Sequence, residues 1–350
     1  MERVAIIGLG LIGTSIGLGL REWNAREKKR DNQDRIYVVG FDSDLSQQSL
    51  AKKMKALDDT AWDMPAVVRD ADVVIVATPV GAVPDVFRTI GDHLKHGSVV
   101  TDVCSTKGNV MDWARELLPT TTSFVGGHPM AGKTQSTEAA EATLFKGATW
   151  CICPSVRAPE AAVQTVIGLV AALEAESQFV DPYEHDGFVG GVSHLPFMLS
   201  SVLMNTVSSG PGWRDMKLLS ASGFRDVSRL AGGSVDMHRD ICLTNTDSIV
   251  RWIDEFAANL QEIRGVLVGP EEARPAALTE FFTKARDARA DWATAERVVG
   301  QLAQDTEGEL SRNAMAGQFS QMLFGGLARR RRPDDLVKKE EKKPERADRR

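Results

Sequence analysis

Short runs of β-branched and apolar residues recur along the first half of the chain, at 3–7 (RVAII), 36–41 (IYVVGF), 72–77 (DVVIVA), 98–102 (SVVTD) and 122–125 (TSFV). Helix-compatible stretches separate them, and that alternation predicts a parallel sheet with helical crossovers. A further strand at 148–153 (ATWCIC), an Ala-rich helix at 159–173 and a short run at 176–180 extend this region to about residue 180. After Pro182 the β rhythm stops. Residues 181–292 read as helices broken at Gly210–Gly212, Gly223 and Gly232–Gly233, with Pro270 and Pro275 near a last start.

The expected organisation is therefore an α/β domain over 1–180 and an all-α domain over 181–292. A possible helical extension covers 293–328, and a charged, disordered tail covers 329–350, where apolar spacing is lost. Residues 187–206 (GFVGGVSHLPFMLSSVLMNT) approach the length of a membrane span, but His194, Pro196 and Asn205 interrupt them, and no basic flank or aromatic belt accompanies them. A buried helix is the expectation. The helical half carries more apolar surface than a small isolated bundle can bury, which predicts packing on the first domain and on a second copy, as a homodimer.

Length and composition fit this picture: 350 residues, 43% hydrophobic and 26% charged, describe a globular chain of two domains. The formal charge of -6 hides a basic end, since 329–350 holds eleven basic and six acidic residues. The body is acidic, which excludes a broad nucleic-acid surface. Cys104, Cys151, Cys153 and Cys242 make no CxxC pair and are expected to be free, mostly buried thiols. Met1 leads directly into the first strand with no leader pattern, so a cytoplasmic location is expected and a membrane partner is not. No metal-ligand spacing appears.

Candidate chemistry begins at Gly8-Leu9-Gly10-Leu11-Ile12-Gly13, after the first strand and at the opening of a helix. Gly8 permits the turn, Gly10 lets the backbone approach a pyrophosphate, and Gly13 lets helix and strand pack closely. The helix start, with Leu11 and Ile12, attracts the phosphates. The domain is thus Rossmann-like. The second strand ends at Asp42, placed to accept from an adenosine ribose and to favour NAD over NADP, or else to cap the next helix. The interval from Gly13 is lengthened by the polar insertion around Asn24–Asp34. Thr78 and Pro79 follow the run at 72–77, where ligands gather beyond strand ends.

Asp102-Val103-Cys104-Ser105-Thr106-Lys107 follows the next strand. Ser105 reads as a helix cap or as a group near the nicotinamide, and Lys107 as a phosphate-side or surface charge. Gly126-Gly127-His128-Pro129-Met130-Ala131-Gly132 puts an imidazole on a constrained loop beside the cofactor cleft, making His128 the general-base candidate, with a structural-loop role as the other reading. In the helical half, His194 in Ser193-His194-Leu195-Pro196 reads singly as a core residue. Asp226 and Arg229, three apart, form either an internal salt bridge or a grip on a substrate carboxylate.

In this order, GLGLIG, ATPV, DVCSTKG, GGHPMAG, SHLP and GFRDVSRLA resemble the prephenate/arogenate dehydrogenases of tyrosine biosynthesis, over about residues 1–292. The resemblance implies NAD-dependent oxidative decarboxylation of prephenate to 4-hydroxyphenylpyruvate. It implies His128 deprotonating the ring hydroxyl, Ser105 orienting that pair, Arg229 holding a carboxylate with Asp226 beside it, and His194 lining the substrate side. Arogenate dehydrogenase, giving tyrosine directly, is the near alternative. A β-hydroxyacid dehydrogenase lacks its catalytic lysine here, and a non-catalytic NAD-binding protein leaves the His128 segment unexplained. Lys133-Thr134 and Met237-His238-Arg239-Asp240 depart from the family pattern.

Overall fold

Eight strands form one sheet in the computed structural model, which describes residues 2–26, 35–132 and 137–310, with side chains described to residue 294. They are β1 Glu2–Ile7, β2 Ile36–Phe41, β3 Asp59–Thr60, β4 Val73–Val76, β5 Val99–Asp102, β6 Ser123–Pro129, β7 Thr149–Pro154 and β8 Glu176–Phe179. The order is β3-β2-β1-β4-β5-β6-β7-β8. The first six strands are parallel, as the alternation predicts. The chain reverses between β1 and β4, and a ligand crevice opens beyond the carboxyl ends of the strands at such a switch point.

Two features correct the sequence reading. β7 runs antiparallel to β6, and β8 follows β7, so the sheet is mostly rather than wholly parallel. The pairing with β7 also carries β6 through Gly126, Gly127, His128 and Pro129, so His128 sits on a strand, opposite Cys151, and not on a loop. Gly127 is required there: a β-carbon would stand 2.6 Å from the Asp102 carbonyl oxygen and 2.9 Å from Trp150 Nε1.

Alternate residues of each inner strand bury on opposite faces, the period-two pattern of a sheet covered on both sides. Val4, Ile6, Val73 and Ile75 pack under the helices Leu11–Arg26 and Glu160–Ala172. Ala5, Ile7, Val74 and Val76 pack under the helices Val83–Ile90 and Gly108–Leu117.

From Pro182 on the structure is helical. The helices Pro182–Val189 and Leu195–Ser208 are joined by a widened π-helical turn, Gly190–His194, which turns His194 inward. The joined run is long and apolar enough to cross a membrane by length and composition; His185, Asp186, His194 and Ser200 are buried, but Phe188, Val192 and Val202 are exposed, so the run is covered on one side only and not the fully buried helix expected. The helices Val235–Thr244, Thr246–Val268 and Arg274–Leu310 complete this half, and the last runs past residue 292 without a break. Gly223 lies inside the helix Ser222–Ser228 rather than in a turn.

The fully buried apolar cluster of the helical half contains Phe197, Ile241 and Ile249. Leu218, Leu219, Val227 and Val235 stand exposed, the surface expected of a half that packs on another copy. The insertion at 27–34, Lys133-Thr134, residues 311–328 and the tail 329–350 lie outside the described residues.

Candidate active site

The glycine segment after β1 forms the floor of a cavity of about 510 Å³. Gly8 has φ +95°, and a β-carbon there would meet the Ala77 carbonyl oxygen at 2.5 Å. At Gly13 a β-carbon would meet the Gly8 carbonyl oxygen at 1.9 Å, so helix and turn can only touch through glycine. Gly10 has no atom within 4 Å of where a β-carbon would be, and it lines the cavity. The glycines therefore stand as the fingerprint requires. Gly10 is open to a ligand and the other two are closed against protein.

Leu11 lines the same cavity, whereas the Ile12 side chain packs against the core and leaves only its backbone N–H to the helix start. The first intrahelical bond runs from Thr14 N to Gly10 O at 3.0 Å, so the N–H groups of residues 11–13 have no acceptor within the helix. Asp42, Thr78 and Pro79 line the cavity as well. Asp42 Oδ2 accepts from Leu9 N at 2.7 Å and Oδ1 from Asp44 N at 2.9 Å. The helix Leu45–Lys53 is capped by Asp44, so the capping reading of Asp42 does not hold. The Thr78 hydroxyl is buried with no partner, as a group waiting for a ligand would be. These residues fit a dinucleotide. Thr137, missed in the sequence, also lines the cavity and reaches Leu9 O at 3.3 Å.

At the carboxyl end of β6, on the same side of the sheet, stands His128, 8% exposed. Its Nδ1 lies 2.9 Å from His185 Nε2, and His185 Nδ1 lies 2.8 Å from Asp186 Oδ1. Asp186 also accepts from the backbone N–H groups of Lys107 and Gly108, at 2.7 and 2.8 Å. Burial first, then the neighbouring His185, Lys107 and His194, hold His128 well below the ordinary histidine range. It is neutral and able to accept a proton.

Lys107 corrects the surface expectation. Its ammonium is fully buried and paired with Asp102, whose carboxylate also accepts from Cys104 N and Gly127 N. Burial pulls the ammonium pKa down, but Asp102, together with Cys104 and Cys153, more than offsets it, and the group stays above its usual value. The Cys104 thiol is pushed far up by burial and then by Asp102. All four cysteines are free, and Cys104, Cys151 and Cys153 are buried.

Ser105 is half-buried at the end of β5. Among the described residues no hydrogen bond joins it to His128, whose Nδ1 is held by His185 instead. It does not cap the helix Gly108–Leu117 either, which starts at Lys107 without a side-chain cap.

His194 is fully buried. Asn245 Nδ2 donates to Asp186 O at 2.8 Å and lies 3.1 Å from His194 Nδ1, so Nδ1 accepts and the proton sits on Nε2. That Nε2 is buried without a partner, which a satisfied core histidine would not be. Burial takes His194 down to about 4. Asp226 and Arg229 stand apart: both are exposed, and among the described residues no ion pair joins them. Arg229 lines a second cavity of about 520 Å³ with Ser201, Asn205 and Ser228, which shares no lining residue with the first.

His185, Asp186 and Asn245 carry no local sequence signal that marks them as site residues. Tyr183-Glu184-His185-Asp186 resembles a solvated helix start, and only its closure onto the Gly108–Leu117 helix shows otherwise. Thr106 and Thr244 add a hydroxyl-to-hydroxyl contact of 2.9 Å between the same two halves.

Residues 25–179 match the family model described as the prephenate dehydrogenase nucleotide-binding domain, and residues 181–283 match the prephenate dehydrogenase dimerization domain. The prephenate dehydrogenase of Bacillus subtilis (strain 168) is 34% identical over 291 residues, 82% of this chain and 75% of the relative. That of Lactococcus lactis subsp. cremoris (strain MG1363) is 30% identical over 275 residues, 75% of this chain and 70% of the relative. The solved prephenate dehydrogenase of A. aeolicus in complex with hydroxyphenyl propionate and NAD+ has the same fold, with a TM-score of 0.74 at 24% identity over 83% of this chain and 98% of that one.

Proposed function

The chain belongs to the prephenate dehydrogenase family, and from that membership we propose that it oxidises prephenate with NAD+, releasing carbon dioxide and 4-hydroxyphenylpyruvate. The observation that carries the reading is a buried imidazole, His128, kept neutral at the carboxyl end of the sheet that also carries the dinucleotide cavity. NAD+ supplies the hydride acceptor when bound. Gly8, Gly10 and Gly13 shape its floor, the helix start faces its phosphates, and Asp42 has lone pairs left for the ribose hydroxyls.

His128 accepts the proton of the ring hydroxyl as that carbon gives up its hydride and the ring carboxylate leaves. The ring becomes aromatic, so the protein has chiefly to align the reactants and manage one proton. His194, with a buried and unpartnered Nε2–H, supplies a donor on the substrate side. Arg229 offers a cation for a carboxylate in a chain whose formal charge is -6, with Asp226 one turn earlier. Ser105 completes the strand-end group near the nicotinamide. The dimerization-domain match supports a homodimer, and four free cysteines suit a cytoplasmic enzyme.

The test is direct. The purified chain is assayed with prephenate and with arogenate, each against NAD+ and NADP+. Prephenate with NAD+ is expected to give the highest kcat/KM. A preference for arogenate would move the assignment to the amino-acid substrate, and no turnover of either compound would overturn it.

A further inference from the structure

Asp186, His185 and His128 lie in a line of hydrogen bonds, and the donors at one end fix the protons at the other. Oδ1 and Oδ2 of Asp186 face the backbone N–H groups of Lys107 and Gly108, which can only donate, at the start of a ten-residue helix. Each carboxylate oxygen thus accepts from a backbone donor. An ionised carboxylate only accepts, so the proton of His185 is on Nδ1, 2.8 Å from Asp186 Oδ1. With one proton on each ring, His185 Nε2 is then an acceptor. The 2.9 Å contact requires His128 Nδ1 to donate to it, which leaves the lone pair of His128 on Nε2.

Resting on the reading of His128 as the base, we propose that His185 and Asp186 are positioning residues that lock His128 in the tautomer with a free lone pair on Nε2. Asn245 braces the same arrangement by donating to the Asp186 carbonyl oxygen. The groups around His128 that carry or take charge are Lys107, paired with Asp102, then His185 with Asp186, and His194. A further proton on the two-imidazole pair goes to the free lone pair on His128 Nε2, and the base is lost while His128 Nδ1 still donates to His185 Nε2.

The experiment compares wild type with Asp186→Asn, His185→Leu and His185→Gln in the full chain, by steady-state kinetics, NAD+ binding and long-range 1H–15N spectra of the histidine rings, with His128→Asn assigning the His128 signals. In wild type, Nδ1 of His128 is expected to carry the proton and Nε2 to be bare. The side-chain amide introduced by Asp186→Asn can donate to His185 Nδ1 and reverse both rings. This variant should therefore lower kcat by roughly 10³–10⁴ with little change in KM.

His185→Leu should lower kcat by roughly 10²-fold or more, and His185→Gln, whose carbonyl oxygen can still accept, should restore much of it. If Asp186→Asn fails to fold, the Leu and Gln pair decides. A wild-type spectrum with the proton on Nε2 would overturn the proposal, as would His185→Leu with kcat within about twofold of wild type. A wild type that turns over neither prephenate nor arogenate would instead remove the functional reading, with the spectrum still reporting the tautomer.

Discussion

Lys107 and Asp102 form an ion pair in which neither side chain has any exposure. The pair sits behind His128, and Asp102 also holds Gly127 N, the backbone next to the imidazole. Lys107→Met would leave a carboxylate buried without its cation and is expected to cost about 3–5 kcal/mol of stability. Adding Asp102→Asn should recover more than half of that loss. Urea unfolding of the single and the double variant against wild type measures it.

Asp42 should decide the cofactor. Its carboxylate accepts from Leu9 N and stands in the wall of the dinucleotide cavity. Asp42→Ala is expected to weaken NAD+ binding roughly tenfold, the scale of one lost hydrogen bond to a charged group, and NADP+ binding much less. Titration calorimetry with both dinucleotides checks this, and an unchanged preference would place the ribose elsewhere.

His194 links stability to pH. The folded protein holds it at about 4, against 6.5 for the ordinary group. As pH falls from 6.5 towards 4 the unfolded chain binds a proton that the folded chain does not, so folding stability declines over that window by about 3 kcal/mol. Above 6.5 both states are neutral and the contribution is flat. His194→Gln should lose less stability than wild type between neutral pH and about pH 5, as read from urea midpoints.

Arg229 is exposed and free of any ion pair with Asp226. Arg229→Ala should therefore raise KM for prephenate by roughly 10–100-fold, the scale of a charge-assisted contact, with kcat and Tm little changed. A fall in Tm with an unchanged KM would make Arg229 a structural residue.

The β-branched runs made most of the sheet legible, because a parallel strand buried on both faces must be apolar along its length. β3 was not, since Asp59–Thr60 is two polar residues paired only with the end of β2. The length of β6 was hidden by Gly126, Gly127 and Pro129, which read as loop until β7 pairs with them. The glycine segment was readable because Gly8, Gly10 and Gly13 lie together in one local run after β1, whereas Thr137, 128 residues from Leu9, carried no such signal. The support of His128 was not readable either: His185 is 57 residues away in sequence, Lys107 lies 79 residues from Asp186, and only the closure of the helical half onto the sheet brings them together.

Proton acceptance by His128 is tested by kcat of His128→Asn with prephenate and NAD+, measured beside the NAD+ dissociation constant of the same protein. The expected result is a fall in kcat of roughly 10²–10⁴ with the dissociation constant close to that of wild type. A variant that keeps near-normal kcat would contradict it, because proton acceptance by that imidazole would then have no part in the reaction.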